Sequence, residues 1–291
     1  MMVDQAEKLR KLAMTTQNKT GKTGESQMRI ITVASGKGGV GKTSIVVNLA
    51  IELSRAGKKV MILDADLGLA NVDIMFGIIP RYTLYDVFLG KKSLQEIVLD
   101  GPEGIKIIPG GSGIHELANI GYSERERLMA DLKDFSRELD YLIIDCGAGV
   151  SKNVLGFISA ADDVVIVITP EPTSITDAYG IIKIISKFQL HTEVYIVINK
   201  ASTVREACET ARKIETVAGK YLEIKVRRLG FISDDLTVGK SVKEQKPYCV
   251  SHPNSKVAKD ISQMAHNLIQ KSMQSPQGTD NFFLKLFRIF K

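Results

Sequence analysis

The sequence predicts an α/β fold: a doubly wound, mainly parallel sheet with helices on both faces. Two observations and one general rule predict it. Short, almost wholly apolar runs such as Val60-Met-Ile-Leu63 alternate with longer amphipathic stretches; strands that read this way are buried on both faces of a parallel sheet. Right-handed crossovers then distribute the intervening helices over the two faces. Finally, the first apolar run leads into Gly36-Lys-Gly-Gly-Val-Gly-Lys-Thr43 and then into a helix-forming segment, the order in which a phosphate-binding loop is built. At 291 residues, 44% hydrophobic and 25% charged, the chain has an ordinary globular composition that one large domain with short appendages accommodates.

Taken in order, residues 1–27 are polar and rich in Lys, Thr, Gly and Gln. Asp4–Met14 has helical spacing at Leu9, Leu12 and Ala13, and Asn18–Gln27 reads as a flexible linker. The pattern changes at Ile30–Ala34, a buried strand. A helix is expected over Thr43–Ala56, punctuated by Gly57, and Val60–Leu63 is the next strand. Further strands are expected at Ile105–Ile108, Tyr141–Ile144, Val164–Ile168, Val194–Ile198 and Val226–Ile232. Helices fill the intervals, Ser123–Glu138 and Thr173–Phe188 among them, and Ser255–Met273 is the last helix of the core. Ser275–Asp280 is a linker, and Asn281–Lys291 closes the chain with a composition unlike anything before it. Three parts result: an N-terminal element and linker (1–27), a phosphate-loop domain (28–274), and a linker with a C-terminal amphipathic segment (275–291).

The net charge of +6 permits an anionic membrane or nucleic acid as partner without choosing between them, because the charges are mixed in sign along the chain. Cys146, Cys208 and Cys249 form no C-x-x-C pair, which argues against a disulfide framework and against a thiolate metal cluster. No apolar stretch approaches the roughly 20 residues that span a bilayer. The expectation is a cytoplasmic protein whose membrane contact is peripheral.

The chemistry is concentrated at strand ends. Gly36–Thr43 matches G-x-x-x-x-G-K-[ST]. Gly36, Gly38, Gly39, Val40 and Gly41 let backbone N–H groups turn inward around phosphates, and the helix that follows adds its positive end. Lys42 would reach the β- and γ-phosphates of a nucleotide, the Thr43 hydroxyl would ligate Mg²⁺, and Ser44 adjoins them. The bland alternative is a glycine-rich turn without a ligand. Asp64-Ala-Asp66 and Asp145-Cys-Gly-Ala-Gly149 end two other strands, where carboxylates face the ligand crevice. Asp145 is placed to hold Mg²⁺, directly or through water. Asp64 suits a structural role or an outer contact to the ion.

The second lysine of the loop, Lys37, makes K-G-G-x-G-K-T, and this resembles the deviant Walker A ATPases: the Min and Par positioning ATPases, the nitrogenase iron protein and the arsenite-pump ATPase. The resemblance implies that Lys37 crosses a face-to-face dimer interface to the partner's nucleotide, acting in dimerisation and catalysis. Asp66, followed by Gly68-Leu-Ala-Asn71-Val-Asp73, resembles the Min-type first switch, whose aspartate orients the attacking water; a helix-capping residue is the alternative. Gly147-Ala-Gly149 resembles the second switch, or is a turn that needs glycine. Asn199 maps onto the asparagine that reads the adenine edge. Ser233-Asp234 stands where relatives carry a short adenine-contacting segment, often with Pro, so the departure to Ser leaves that contact open. Thr169–Asp177 resembles the dimer-rim and partner-facing segment, with a helix N-cap as its simpler reading.

The ends narrow the family. On a helix, Phe282, Phe283, Leu286, Ile289 and Phe290 share one side, while Lys285, Arg288 and Lys291 line the other. Such a segment lies in the interface of an anionic membrane, and its length implies folding on contact with lipid. Packing on the core is the alternative, and both readings hold if the helix docks in one nucleotide state and is released in another. Asp4-Gln-Ala-Glu-Lys-Leu-Arg10 resembles the D-Q-A-x-x-L-R element of the flagellar-number ATPases, the FlhG (FleN or YlxH) family. That resemblance covers nearly the whole chain. It implies that Gln5, Leu9 and Arg10, with Asp177, are partner-binding, that the chain activates the signal-recognition-particle-type GTPase FlhF, that it meets flagellar motor switch components, and that ATP with Mg²⁺ drives homodimerisation. No specific nucleic acid is expected. A Par-type ATPase binding nonspecific DNA is the competing reading, marked by steeply salt-dependent binding. A metabolic ligase or phosphotransferase lacks a second-substrate motif here. The tyrosine-rich tail of the related tyrosine kinases and the paired cysteines of iron–sulfur carriers are also absent.

Overall fold

Eight short runs of β-branched and aliphatic residues pair into one sheet: β1 (Arg29–Ser35), β2 (Val60–Ala65), β3 (Leu99–Asp100), β4 (Lys106–Ile108), β5 (Tyr141–Ala148), β6 (Asp163–Ile168), β7 (Glu193–Ala201) and β8 (Lys225–Ser233). Their order is β3-β4-β2-β5-β1-β6-β7-β8. Every pairing is parallel except β3 with β4. The computed structural model describes residues 28–66, 71–111, 131, 135 and 137–270. The element carrying Gln5, Leu9 and Arg10 and the segment carrying Phe282, Phe283, Lys285, Leu286, Arg288, Ile289 and Phe290 lie outside the described residues.

Strand alternation builds two cores, one on each face. From β1, Ile30 and Ala34 join one cluster and Ile31 and Val33 the other; from β5, Leu142, Ile144 and Cys146 join the first and Tyr141 and Ile143 the second. Helix α1 (Lys42–Arg55) covers the second face, together with α2 (Val72–Phe76), α9 (Tyr248–Ser251) and α10 (Lys256–Gln270). The first face takes α3 (Leu84–Phe88), α4 (Leu94–Ile97), α5 (Lys152–Ala160), α6 (Pro172–Lys187) and α7 (Val204–Tyr221). The remaining described helix, α8 (Leu236–Lys243), follows β8. Thus the doubly wound fold predicted from the apolar runs is the one observed.

Local chemistry marks the helix ends. Thr83 and Ser93 close capping boxes with Asp86 and Glu96, and Thr203 caps α7 by accepting from Glu206 N. The expected helix at Ser123–Glu138 lies mostly outside the described residues; Arg137 and Glu138 form a turn, with Glu138 N donating to Phe135 O at 3.0 Å. The antiparallel edge strand β3 was not expected. Two residues carry no readable period, and Leu99 and Asp100 become a strand only by pairing with Ile107 and Lys106. The three cysteines are unbonded. No described helix is long and apolar enough to cross a membrane.

Candidate nucleotide site

The site lies where the sheet changes its direction of growth. β1 sits between β5 and β6, and α1 and α5, which follow β1 and β5, pack on opposite faces. Parting helices at such a point open a crevice at the carboxyl ends of the strands. Into it runs the loop from Gly36 to Gly41. A Cβ on Gly36 would lie 2.4 Å from Asp177 Cβ and 2.8 Å from Ala178 N, so the loop rests directly on the backbone of α6. Gly41, at φ +87°, lies in the left-handed region, and a Cβ there would meet Asn199 Nδ2 at 2.3 Å. Gly38 and Gly39, in contrast, have nothing within 4 Å of the same position.

Lys42 and Thr43 open α1 and turn back to β5. The Thr43 hydroxyl donates to Asp145 Oδ2 at 2.6 Å, and the buried Lys42 ammonium lies 3.5 Å from Asp145 Oδ1. Burial raises the Asp145 pKa; the nearby Lys42 charge and the Thr43 hydrogen bond pull it back. Oδ1 has the Lys42 ammonium as its partner, at a long 3.5 Å, and the Ser44 hydroxyl reaches the buried Tyr248 hydroxyl. A buried carboxylate oxygen held only at that distance leaves room for a cation. An Mg²⁺–polyphosphate fits this donor set. Thr43 and Asp145 supply the hard oxygens that Mg²⁺ takes alongside phosphate.

Asp64 and Asp66 divide two roles. Asp64 is buried; its Oδ2 accepts from Asn71 N at 3.0 Å and Val72 N at 3.1 Å, and its Oδ1 accepts from Asp66 N at 3.2 Å. It therefore holds the start of α2. Desolvation first, and the neighbouring Asp145 second, push the Asp64 pKa up to about 7. Asp66 stands over Gly147, its Oδ1 3.4 Å from where a Cβ on that glycine would be. With Gly147, Ala148, Ser151 and Asn153 it lines a cavity of about 230 Å³, room for several waters.

The loop lysine is already engaged. The Ser35 hydroxyl donates to Lys37 O at 2.9 Å, and the Lys37 ammonium pairs with Glu171 and reaches Thr173 Oγ1 at 3.2 Å. In the single chain Lys37 thus folds back onto the start of α6. Glu171 occupies the N-cap position without capping; the hydrogen bond from Lys37 makes its carboxyl more acidic than usual. Sequence reading singled out the segment but not this residue. Pro172, at the first helical position, places Glu171 at the helix start, yet only the fold brings it to Lys37.

Asn199 and Lys200, at the end of β7, also bind the loop: Asn199 Nδ2 donates to Val40 O at 2.7 Å and Lys200 Nζ to Gly39 O at 2.9 Å. The amide expected at the adenine edge is spent here on the phosphate loop. On the adjoining strand Ser233 is buried. Its N–H donates to Asp260 Oδ2 at 2.8 Å, an acid that sequence reading missed, and its hydroxyl has no partner among the described residues. Asp234 is exposed, and its N–H donates to Ala201 O at 3.0 Å. Asp177 is exposed on α6 against Gly36.

A family model described as an AAA domain matches residues 28–198. The antiactivator FleN of Pseudomonas aeruginosa is 36% identical over 259 residues, covering 89% of this chain and 92% of that protein. The flagellum site-determining protein YlxH of Helicobacter pylori is 34% identical over 293 residues and 99% of each chain. Among solved structures, the cell division ATPase MinD of Pyrococcus furiosus superposes with a TM-score of 0.67 at 25% identity, over 83% of this chain and 98% of that one.

Proposed function

This chain belongs to the MinD/ParA-type P-loop ATPases, in the family that contains FleN and YlxH, and from that premise we propose that it is an ATP-hydrolysing, dimerising switch that regulates the number and placement of flagella. The observation that carries the nucleotide reading is the Lys42–Asp145–Thr43 arrangement, a buried lysine and a hydroxyl converging on one buried carboxylate where the loop enters its helix. The flagellar part rests on the relatives' names and on the N-terminal motif.

In this reading the loop amides, Lys42 and Ser44 bind the polyphosphate, while Thr43 and Asp145 hold Mg²⁺. The ion, when bound, would neutralise polyphosphate charge. Asp66 accepts a hydrogen bond from the attacking water in the cavity beside Gly147 and orients it; this is positioning more than strong base catalysis. Lys37 leaves Glu171 and crosses to the partner's nucleotide. Asn199, Ser233 and Asp234 flank the base. Residues 28–274 act as the ATPase domain, Phe282–Lys291 binds the anionic membrane in the ATP dimer, and the Gln5-Leu9-Arg10 element, with Asp177, meets protein partners, FlhF and flagellar motor switch components among them.

The test is co-sedimentation with anionic liposomes in ADP and in ATP, using Asp66→Ala to hold the ATP state and a chain ending at Asp280. ATP-dependent lipid binding that truncation abolishes is the expected result. Lipid binding absent in both nucleotides removes the membrane part. Replacing Gln5 by Ala is expected to abolish stimulation of FlhF GTPase activity and leave the chain's own ATPase intact; unchanged stimulation removes the activator part.

A further inference from the structure

Asn199 and Lys200 are consecutive, yet both side chains reach the same loop. Consecutive side chains of an extended strand point to opposite faces. The departure is made at Lys200, whose φ of 57° lies in the left-handed region, a conformation uncommon for a residue with a Cβ and one that stores strain. The β7–β8 register is broken over the same stretch, between Ile198 and Ala201. Glycine adopts this backbone freely, so what lysine contributes here is its side chain.

The two acceptors are the consecutive carbonyls of Gly39 and Val40. In a planar trans peptide the C=O and the following N–H point in opposite directions. A donor on the Gly39 carbonyl therefore fixes where the Val40 N–H points, and a donor on the Val40 carbonyl fixes the Gly41 N–H. Both amides belong to the anion-binding concavity of the loop, and both are held facing away from β7. Gly39 and Gly41, at φ +76° and +87°, have no side chain to fix them otherwise.

We propose that Lys200 is a positioning residue of the nucleotide site. It tethers the Gly39–Val40 peptide from outside so that the Val40 amide is aimed at the polyphosphate, and Asn199 does the same for the Val40–Gly41 peptide. The proposal deepens the nucleotide reading above and rests on it. Pre-aimed amides bind ground state and transition state alike, so their loss raises KM and leaves kcat nearly unchanged.

The test is steady-state ATP hydrolysis by full-length Lys200→Met, Lys200→Arg and Lys200→Gly, with Lys42→Ala in parallel. Lys200→Met is expected to raise KM about tenfold with kcat within about twofold, as for loss of one charge-assisted hydrogen bond. The rise persists at about 0.5 M KCl, where long-range attraction of phosphate by a lysine is screened. Lys200→Arg stays within about threefold of wild type. Lys200→Gly shows the KM of Lys200→Met with an unchanged Tm, separating the tether from backbone strain. An unchanged KM in Lys200→Met, or a rise that salt erases, overturns the tether. If Lys42→Ala also hydrolyses ATP like wild type, the nucleotide reading falls and the tether with it; if Lys42→Ala is inactive, only the tether is overturned.

Discussion

Asp64 and Asp145 stand opposite one another in register on neighbouring parallel strands, both buried. Two such carboxylates cannot both ionise cheaply with the Lys42 ammonium as the one cation beside Asp145 among the described residues. Asp64 titrates near 7 in the fold against an ordinary 3.8, so between those values the native chain keeps a proton that the unfolded chain has released. The sign follows: stability is lost as pH rises from about 4 to 7, by at most about 1.4 kcal/mol per pH unit for one such group. The raised Asp145 pKa acts in the same sense. Urea unfolding without Mg²⁺ or nucleotide is expected to show this slope, flattened in Asp64→Asn; stability that rises with pH over that range contradicts it. Asp66 stands elsewhere, beside the cavity. Asp66→Ala is predicted to keep ATP affinity and lower kcat about 10²–10³-fold, measured by phosphate release under saturating ATP. At Gly36, a methyl group meets the Asp177 backbone at 2.5 Å, so Gly36→Ala is predicted to cost about 2 kcal/mol or more in stability through overpacking; a variant as stable as wild type in urea contradicts that contact.

Among the elements, the opposite end of the sheet is held by charge. Arg29 of β1 pairs with Asp163 of β6, with side chains only 14% and 6% exposed, and Asp162 Oδ2 accepts from Ile30 N at 2.9 Å. Removing one partner of a buried pair strands the other. Asp163→Ala is predicted to lose about 3 kcal/mol, and Arg29→Met with Asp163→Leu to recover most of it, both read from urea unfolding. Equal losses in the single and double variants would mean that packing, not stranded charge, sets the cost. Such elements show what the sequence makes legible. β1, β5, β6 and β7 announce themselves because both of their faces are buried, so nearly every side chain is apolar. Helix α7 carries its capping Thr203 and Glu206 in plain order. Neither β3 nor the Arg29–Asp163 pair is legible: β3 has only two residues and so no period to read, and the ion pair joins residues 134 positions apart. The phosphate loop was legible because its eight residues are contiguous. Its outside supports, Glu171, Lys200 and the Asn199–Val40 bond, join residues more than 130 positions apart, and no local pattern encodes them.

At the scale of the whole molecule, Lys37 is occupied within its own chain. The Lys37–Glu171 pair is partly exposed, and exposed pairs contribute little to stability. In the proposed switch, nucleotide and a second copy displace it, Lys37 exchanging one anionic contact for the partner's phosphates. The account therefore makes dimerisation depend on ATP, on Lys37 and on slow hydrolysis at Asp66. The measurement that tests this most directly is molar mass by multi-angle light scattering of Asp66→Ala in ADP and in ATP, beside Asp66→Ala carrying Lys37→Ala. The account predicts monomer in ADP and dimer in ATP for Asp66→Ala, and monomer in both nucleotides once Lys37 is also removed. A monomer in ATP for Asp66→Ala, or a dimer that forms without Lys37, contradicts it.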